Sequence, residues 1–307
     1  ILRTCTVNFR RVSKMFLQFE LWKSCKHHCG YCFNKFIEDK RDKKKVLDYV
    51  IKTLENRNIP ENSTIGLMGG EFFDGQLSDK RTKEKFYQLC SLIIDKLGPT
   101  GRFCITASMM YKNAADYLEF CNFIVKKQYA KNILICTSYD KKYRFTDITL
   151  KNWIYLVNKT HVMSKDIRIH VEMILTQYLI DAIKQNPDYL NQFQKTYQCR
   201  VDFNIPYLPF YSDWQGITKE TFEKKYPGFF PKRKDFLELL QKHGNLFDLR
   251  GISDHKFHSS ELHYSINGRD WVILPERDKM ETTCTNLTKC HNCCGYLDST
   301  TKIQDDI

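Results

Sequence analysis

The sequence lacks any run of eighteen apolar residues, which excludes a hydrophobic membrane-spanning helix. Its first residues, Ile1-Leu2-Arg3-Thr4-Cys5, do not have the charged, apolar and small-residue regions of a secretory signal. It also lacks an excess of acid: 48 Lys and Arg stand against 36 Asp and Glu, for a net charge of +12. A balance of that sign is compatible with nucleic acid, an acidic peptide or an anionic small molecule. The basic runs Lys40-Arg41-Asp42-Lys43-Lys44-Lys45 and Phe230-Pro231-Lys232-Arg233-Lys234 also suit ordinary solvated faces. At 307 residues, with 42% hydrophobic and 27% charged content, the chain has room for one large domain and a small appendage.

Cysteine is abundant, with thirteen in the chain. A Lys-rich chain of this length needs no disulfide staples, so clustered thiols point to metal in a reducing, cytoplasmic setting. Cys90, Cys104, Cys121, Cys136 and Cys199 fall in apolar patterns and read as small buried hydrophobes. The others cluster. Cys25, Cys29 and Cys32 stand in Leu21-Trp22-Lys23-Ser24-Cys25-Lys26-His27-His28-Cys29-Gly30-Tyr31-Cys32, a C-x3-C-x2-C spacing just after a strand-like segment. Three thiolates on one loop can hold three irons of a 4Fe–4S cubane and leave the fourth open. Zinc is the alternative, with His27 or His28 completing the ligand set.

A second motif follows about forty residues later. Ile65-Gly66-Leu67-Met68-Gly69-Gly70-Glu71 is an apolar run closed by two glycines and an acid. Glycines let the backbone approach a ligand, and a carboxylate pairs with an ammonium.

Strand-like and helix-like segments alternate from the cysteine loop onward. Strands are expected over 15–22, 64–68, 102–107, 133–137, 167–175 and 199–205. Helices are expected over 46–54, 86–97, 114–125, 150–157 and 178–193. Six repeats imply an α/β fold with a parallel sheet and right-handed crossovers. A closed eight-unit barrel needs more chain than remains before residue 210, so a partial (βα)6 TIM-like barrel over residues 1–210 fits. Ligands of such sheets sit at the strands' C-terminal ends. The cysteine loop, Gly69-Gly70-Glu71, Thr106-Ala107-Ser108, Thr137-Ser138 and Thr176-Gln177 would converge there.

Residues 211–307 read as a C-terminal extension. Helical pieces are expected over 219–226 and 235–242. Asn267-Gly268 between alternating segments signals a β-hairpin. Beyond it, Cys284, Cys290, Cys293 and Cys294 form C-x5-C-x2-C-C, which suits an auxiliary iron–sulfur cluster, a zinc site with His291, or free thiols.

The C-x3-C-x2-C loop after a strand, together with Gly69-Gly70-Glu71, resembles the radical SAM superfamily. The resemblance implies a 4Fe–4S cluster on Cys25, Cys29 and Cys32 whose open iron chelates S-adenosylmethionine. It implies reductive cleavage to methionine and a 5′-deoxyadenosyl radical that abstracts hydrogen from substrate. Gly69, Gly70 and Glu71 would hold the methionine amino group, and Tyr31 would shield the cluster and line the adenine pocket. Ser108 and Ser138 are further candidates to contact the cofactor. Thr137-Ser138-Tyr139-Asp140 resembles the Ser-x-Asp segment of peptide- and protein-modifying relatives, although Lys141 replaces the glycine usual there. The hairpin with its cysteine run resembles twitch and SPASM extensions, without their upstream cysteine. The implied partners are a peptide, protein or small-molecule substrate and an electron donor such as flavodoxin or ferredoxin. Two other functions stay open: a radical SAM enzyme acting on tRNA or other nucleic acid, with Tyr207, Phe210, Tyr211 and Trp214 stacking on bases, and a non-catalytic iron–sulfur or zinc protein.

Overall fold

The computed structural model describes residues 16–22, 24–27, 29, 41–204, 219–232, 234–235, 238–239, 242, 261–266 and 270–273. Six parallel strands form its centre: β1 (Phe16–Glu20), β2 (Thr64–Met68), β3 (Arg102–Thr106), β4 (Ile133–Tyr139), β5 (Arg168–Ile174) and β6 (Arg200–Asn204). They lie side by side in chain order. Helices α1 (Lys43–Glu55), α2 (Lys80–Leu97), α3 (Ala115–Lys126), α4 (Asp147–Met163), α5 (Gln177–Gln185) and α6 (Tyr189–Tyr197) provide the crossovers. Right-handed crossovers between consecutive neighbours place every helix on one face of the sheet, which is the winding of a partial (βα)6 barrel.

Strand alternation divides the sheet into two surfaces. Leu17, Phe19, Ile65, Leu67, Phe103, Ile105, Ile133, Ile135, Ile169, Val171, Met173, Val201 and Phe203 are buried against the helices. The opposite parity is mostly polar or small, with Gln18, Gly66, Cys104, Thr106, Cys136, Ser138, His170, Glu172 and Asp202, and carries the larger apolar Met68, Leu134 and Ile174 among them. Parallel sheets are usually apolar on both faces. This second face is more polar than that pattern, with Ser138, Glu172 and Asp202 side by side across β4, β5 and β6.

The helices start at side-chain caps. Asp42 accepts from Lys44 N, Asp79 from Thr82 N, Thr146 and Thr149 form a reciprocal capping box, and Thr176 accepts from Leu179 N. The Asp79 cap starts α2 six residues before the apolar spacing that predicts it, because Lys80–Lys85 is a polar first turn and a half. The helix expected over 178–193 is two helices. Pro187 withholds an amide and disfavours helical backbone at Asn186, so α5 stops and α6 restarts at Tyr189. Cys90, Cys121 and Cys199 are buried as expected, whereas Cys104 and Cys136 lie half-buried on the polar face.

After β6, α7 (Lys219–Lys225) returns over the barrel. The hairpin is present as β7 (Glu261–Ile266) and β8 (Asp270–Ile273), paired antiparallel. β7 joins β1 in parallel, Phe16 opposite Glu261, so the hairpin extends the barrel's own sheet. Tyr31, Cys32, the aromatic loop 207–214 and Cys284, Cys290, Cys293 and Cys294 lie outside the described residues. Among the described residues no helix is long and apolar enough to cross a membrane.

Candidate functional site

The site is built where β1 and β2 end. β1 carries the chain into Leu21 and Trp22, both fully buried, and the first loop cysteine, Cys25, follows three residues later. The glycine–glycine–acid segment after β2 runs directly against it. Gly70 N donates to Trp22 O at 2.7 Å, Glu71 N donates to Ser24 O at 2.9 Å, and Trp22 Nε1 donates to Glu71 O at 3.1 Å. A Cβ on Gly69 would stand 2.3 Å from Trp22 O, so only glycine permits this approach. The glycines therefore serve contact between the two loops as well as access to a ligand.

Phe72 and Phe73 anchor the same segment from behind. Both are 1% exposed. Phe72 meets Trp22 edge-on at 5.3 Å, and Phe73 packs on Phe120 at 5.2 Å and Tyr117 at 5.5 Å. Burying an aromatic side chain of this kind stabilises by about 2–3 kcal/mol, so the loop is held by the core rather than by its own turns.

The Glu71 carboxylate is 2% exposed and accepts four hydrogen bonds from the protein. Oε1 takes Phe72 N at 2.8 Å, Phe73 N at 3.0 Å and Tyr111 OH at 2.7 Å; Oε2 takes Ser108 N at 2.7 Å. The acid thus ties the end of β2 to the loop after β3. Ser108 extends the network, since its hydroxyl lies 2.7 Å from His27 Nε2 in the cysteine loop. Burial, with the negative charge of Glu71 next to it, drives the Tyr111 hydroxyl well above the usual phenol range, so it stays a donor. Tyr111 escaped the sequence reading because an aromatic three residues past Ser108 carries no spacing signal.

Cys25 and Cys29 are half-buried on the loop. Cys29 packs at the edge of an apolar cluster of Ile174, Phe222 and Phe229, with Tyr143 alongside. Arg144 Nη1 donates to Cys29 Sγ at 3.7 Å. Among the described residues no three metal-ligating side chains converge, and Cys32, the third of the motif, is outside them. The two described thiols fit a thiolate-bound anionic cluster: they share one loop, that loop is pinned to the strand ends, and a permanent cation points at one sulfur.

The loop after β4 supplies the other wall. Ser138 is half-buried on the lumen face beside Glu172. Asp140 is buried, and its Oδ1 accepts from Lys142 N at 2.8 Å and Tyr143 N at 2.9 Å, forming the turn that presents Arg144. Burial raises the Asp140 carboxyl above its ordinary value, opposed by those amides and by the Arg144 and Lys142 charges. Its Oδ2 is buried without a hydrogen-bond partner among the described residues.

The Thr176-Gln177 pair, expected at this rim, holds a covering segment. Gln177 N donates to Gly228 O at 3.0 Å, its Nε2 donates to Asp235 at 2.7 Å, and its Oε1 accepts from Lys232 N at 2.6 Å. Phe222 and Phe229 are thereby seated on Ile174 at the end of β5. Deeper in the lumen, His170 Nε2 and Asp202 Oδ2 are 2.8 Å apart. Burial opposes ionisation of Asp202, but the hydrogen bond and charge of His170 outweigh it and hold the carboxyl below its ordinary value.

No protein-family profile and no curated protein matches the chain. Solved structures do. Streptococcus suis SuiB bound to precursor peptide SuiA aligns with a TM-score of 0.52 at 13% identity, over 86% of this chain and 60% of that one. Native anSMEcpe with bound AdoMet and Cp18Cys peptide aligns over 63% of this chain and 51% of that one, with a TM-score of 0.44 at 16% identity. The chain has the fold of the radical SAM enzymes. The radical SAM fold places the strand ends, the cysteine loop and Gly69-Gly70-Glu71 on one rim, as the six consecutive parallel strands require. The chain spans three-fifths or less of the length of these radical SAM structures.

Proposed function

We propose that the chain is a radical S-adenosylmethionine enzyme acting on a peptide or protein. One observation carries the reading. The glycine–glycine–acid segment and the cysteine loop, unrelated in sequence, are stitched to each other by three hydrogen bonds and a glycine-only contact at the open ends of a parallel sheet. Cys25, Cys29 and Cys32 would hold a 4Fe–4S cluster. When bound, that cluster supplies the electron that cleaves S-adenosylmethionine to methionine and a 5′-deoxyadenosyl radical able to take hydrogen from substrate.

The chain's own groups do the rest. The backbone of Gly69 and Gly70 lies against the cysteine loop, where the methionine end would bind, and Glu71 fixes that segment through its four hydrogen bonds. Ser138 and the unsatisfied Asp140 Oδ2 provide polar contacts on the β4 side for ribose or substrate. Tyr31 would cover the cluster. The segment carrying Phe222 and Phe229 excludes water from the β5 side of Cys29. Flavodoxin or ferredoxin suits the basic chain as electron donor. A peptide substrate is favoured by the likeness in fold to SuiB, whose structure holds precursor peptide SuiA. In this reading residues 1–210 are the catalytic barrel, and residues 211–307 add the hairpin and an auxiliary metal site on Cys284, Cys290, Cys293 and Cys294.

Anaerobic reconstitution tests the reading. The reduced protein should give a 4Fe–4S electron paramagnetic resonance signal that changes shape when S-adenosylmethionine is added. One tightly bound zinc at Cys25 and Cys29, with no iron taken up, would refute it.

A further inference from the structure

We propose that Arg144 is a tuning residue: its guanidinium, donating to Cys29 Sγ, raises the reduction potential of the metal cluster held there. The proposal rests on the cluster assignment above and adds a specific electrostatic role to it.

The geometry is built, not incidental. Arg144 lies at the end of the turn that Asp140 makes by accepting from Lys142 N and Tyr143 N. Its neighbour Tyr143 is tied to Pro227 O and packs on Phe229 at 5.5 Å. The guanidinium also lies over the Phe145 ring at 5.9 Å, and Phe145 is in turn packed on Tyr139 and Trp153. A long flexible side chain is therefore held with Nη1 3.7 Å from one sulfur, 115 residues away in sequence.

The physical consequence follows from charge. Adding an electron to a thiolate-ligated cluster increases negative charge on its sulfurs. A hydrogen bond to sulfur and a nearby cation stabilise the reduced form more than the oxidised form. Cys29 sits beside the apolar Ile174, Phe222 and Phe229, where a charge is screened less than in water. Among the described residues, the Asp140 turn also brings Lys142 and Asp140 itself, of opposite sign, close to Arg144. Arginine does not deprotonate in proteins, so its contribution is the same at every working pH. The electron comes from an external one-electron donor, and Arg144 moves neither electron nor proton.

The test is a potentiometric titration of the reconstituted full chain, followed by electron paramagnetic resonance without S-adenosylmethionine. Arg144→Gln should bind the same iron as wild type with a midpoint at least 59 mV more negative, a tenfold change in the one-electron equilibrium. Arg144→Lys, which keeps the charge, should recover part of the shift. A Gln variant with full iron and an unchanged or more positive midpoint would overturn the proposal. A second measurement takes its deciding arm from the wild type. Wild-type protein carrying ¹⁵N-arginine should show nitrogen hyperfine coupling to the reduced cluster, lost in Arg144→Lys protein that still binds iron. Absence of that coupling in iron-loaded wild type would overturn the proposal and leave the cluster assignment standing. A wild type that takes up no iron would remove both.

Discussion

A β-carbon at Gly69 would come within 2.3 Å of the carbonyl oxygen of Trp22, closer than any two such atoms can stand. The loop after β2 and the loop after β1 are thus packed backbone to backbone, and the candidate metal loop inherits its position from that contact. Gly69→Ala should push the two loops apart, at a cost of about 2 kcal/mol or more in stability. Urea denaturation of the metal-free protein measures this. Iron uptake by the same variant should fall with it, and a variant as stable and as iron-replete as wild type would show the contact to be dispensable.

Glu71 is predicted to matter for folding as well as for any ligand. Glu71→Ala leaves buried amides of Phe72, Phe73 and Ser108 and the Tyr111 hydroxyl without their acceptor, and should cost about 3 kcal/mol. Tyr111→Phe removes one donor and should cost about 1 kcal/mol. Equal stability of Glu71→Ala and wild type in chemical denaturation would mean that the carboxylate is available to a ligand and not to the protein.

The buried thiols and the loop thiols should separate by reactivity. Burial pushes Cys121 and Cys199 up to about 12 and raises fully buried Cys90 well above its ordinary value, so these three hold little thiolate at pH 8. In metal-free protein, peptide mapping after brief alkylation at pH 8 should find Cys25 and Cys29 modified before Cys90, Cys121 or Cys199. The opposite order would place the loop inside the core.

The His170–Asp202 contact sets a pH dependence. The folded Asp202 carboxyl lies below its ordinary 3.8, so its stabilising contribution is present above that value and disappears as pH falls through the folded value. Asp202→Asn should therefore destabilise the protein at pH 6, and the gap from wild type should narrow as pH falls below 3.8. Denaturant midpoints measured as pH is lowered decide this; a constant gap would show that packing, not charge, sets the effect.

Much of this was readable from sequence, for identifiable reasons. Cys25, Cys29, Gly69, Gly70 and Glu71 announce themselves by spacing and by the strands before them, and the strands expected over 64–68 and 167–175 match β2 and β5 nearly residue for residue. What escaped depends on pairing between distant segments. That Glu71 is satisfied by Ser108 and Tyr111, that His27 meets Ser108, and that Arg144 reaches Cys29 all require knowing which strand lies beside which. His170 and Asp202 share a face by parity alone, but only the β5–β6 register makes them neighbours. The break at Pro187 was present in the sequence, and an apolar pattern running through it concealed it.

The central claim is tested most directly by product analysis. Reconstituted chain incubated anaerobically with dithionite and S-adenosylmethionine should release 5′-deoxyadenosine and methionine in equal amounts. Cys25→Ala, Cys29→Ala and Cys32→Ala should each release none and lose the cluster absorbance. Undiminished 5′-deoxyadenosine from Cys25→Ala, or none from iron-loaded wild type, would contradict the account.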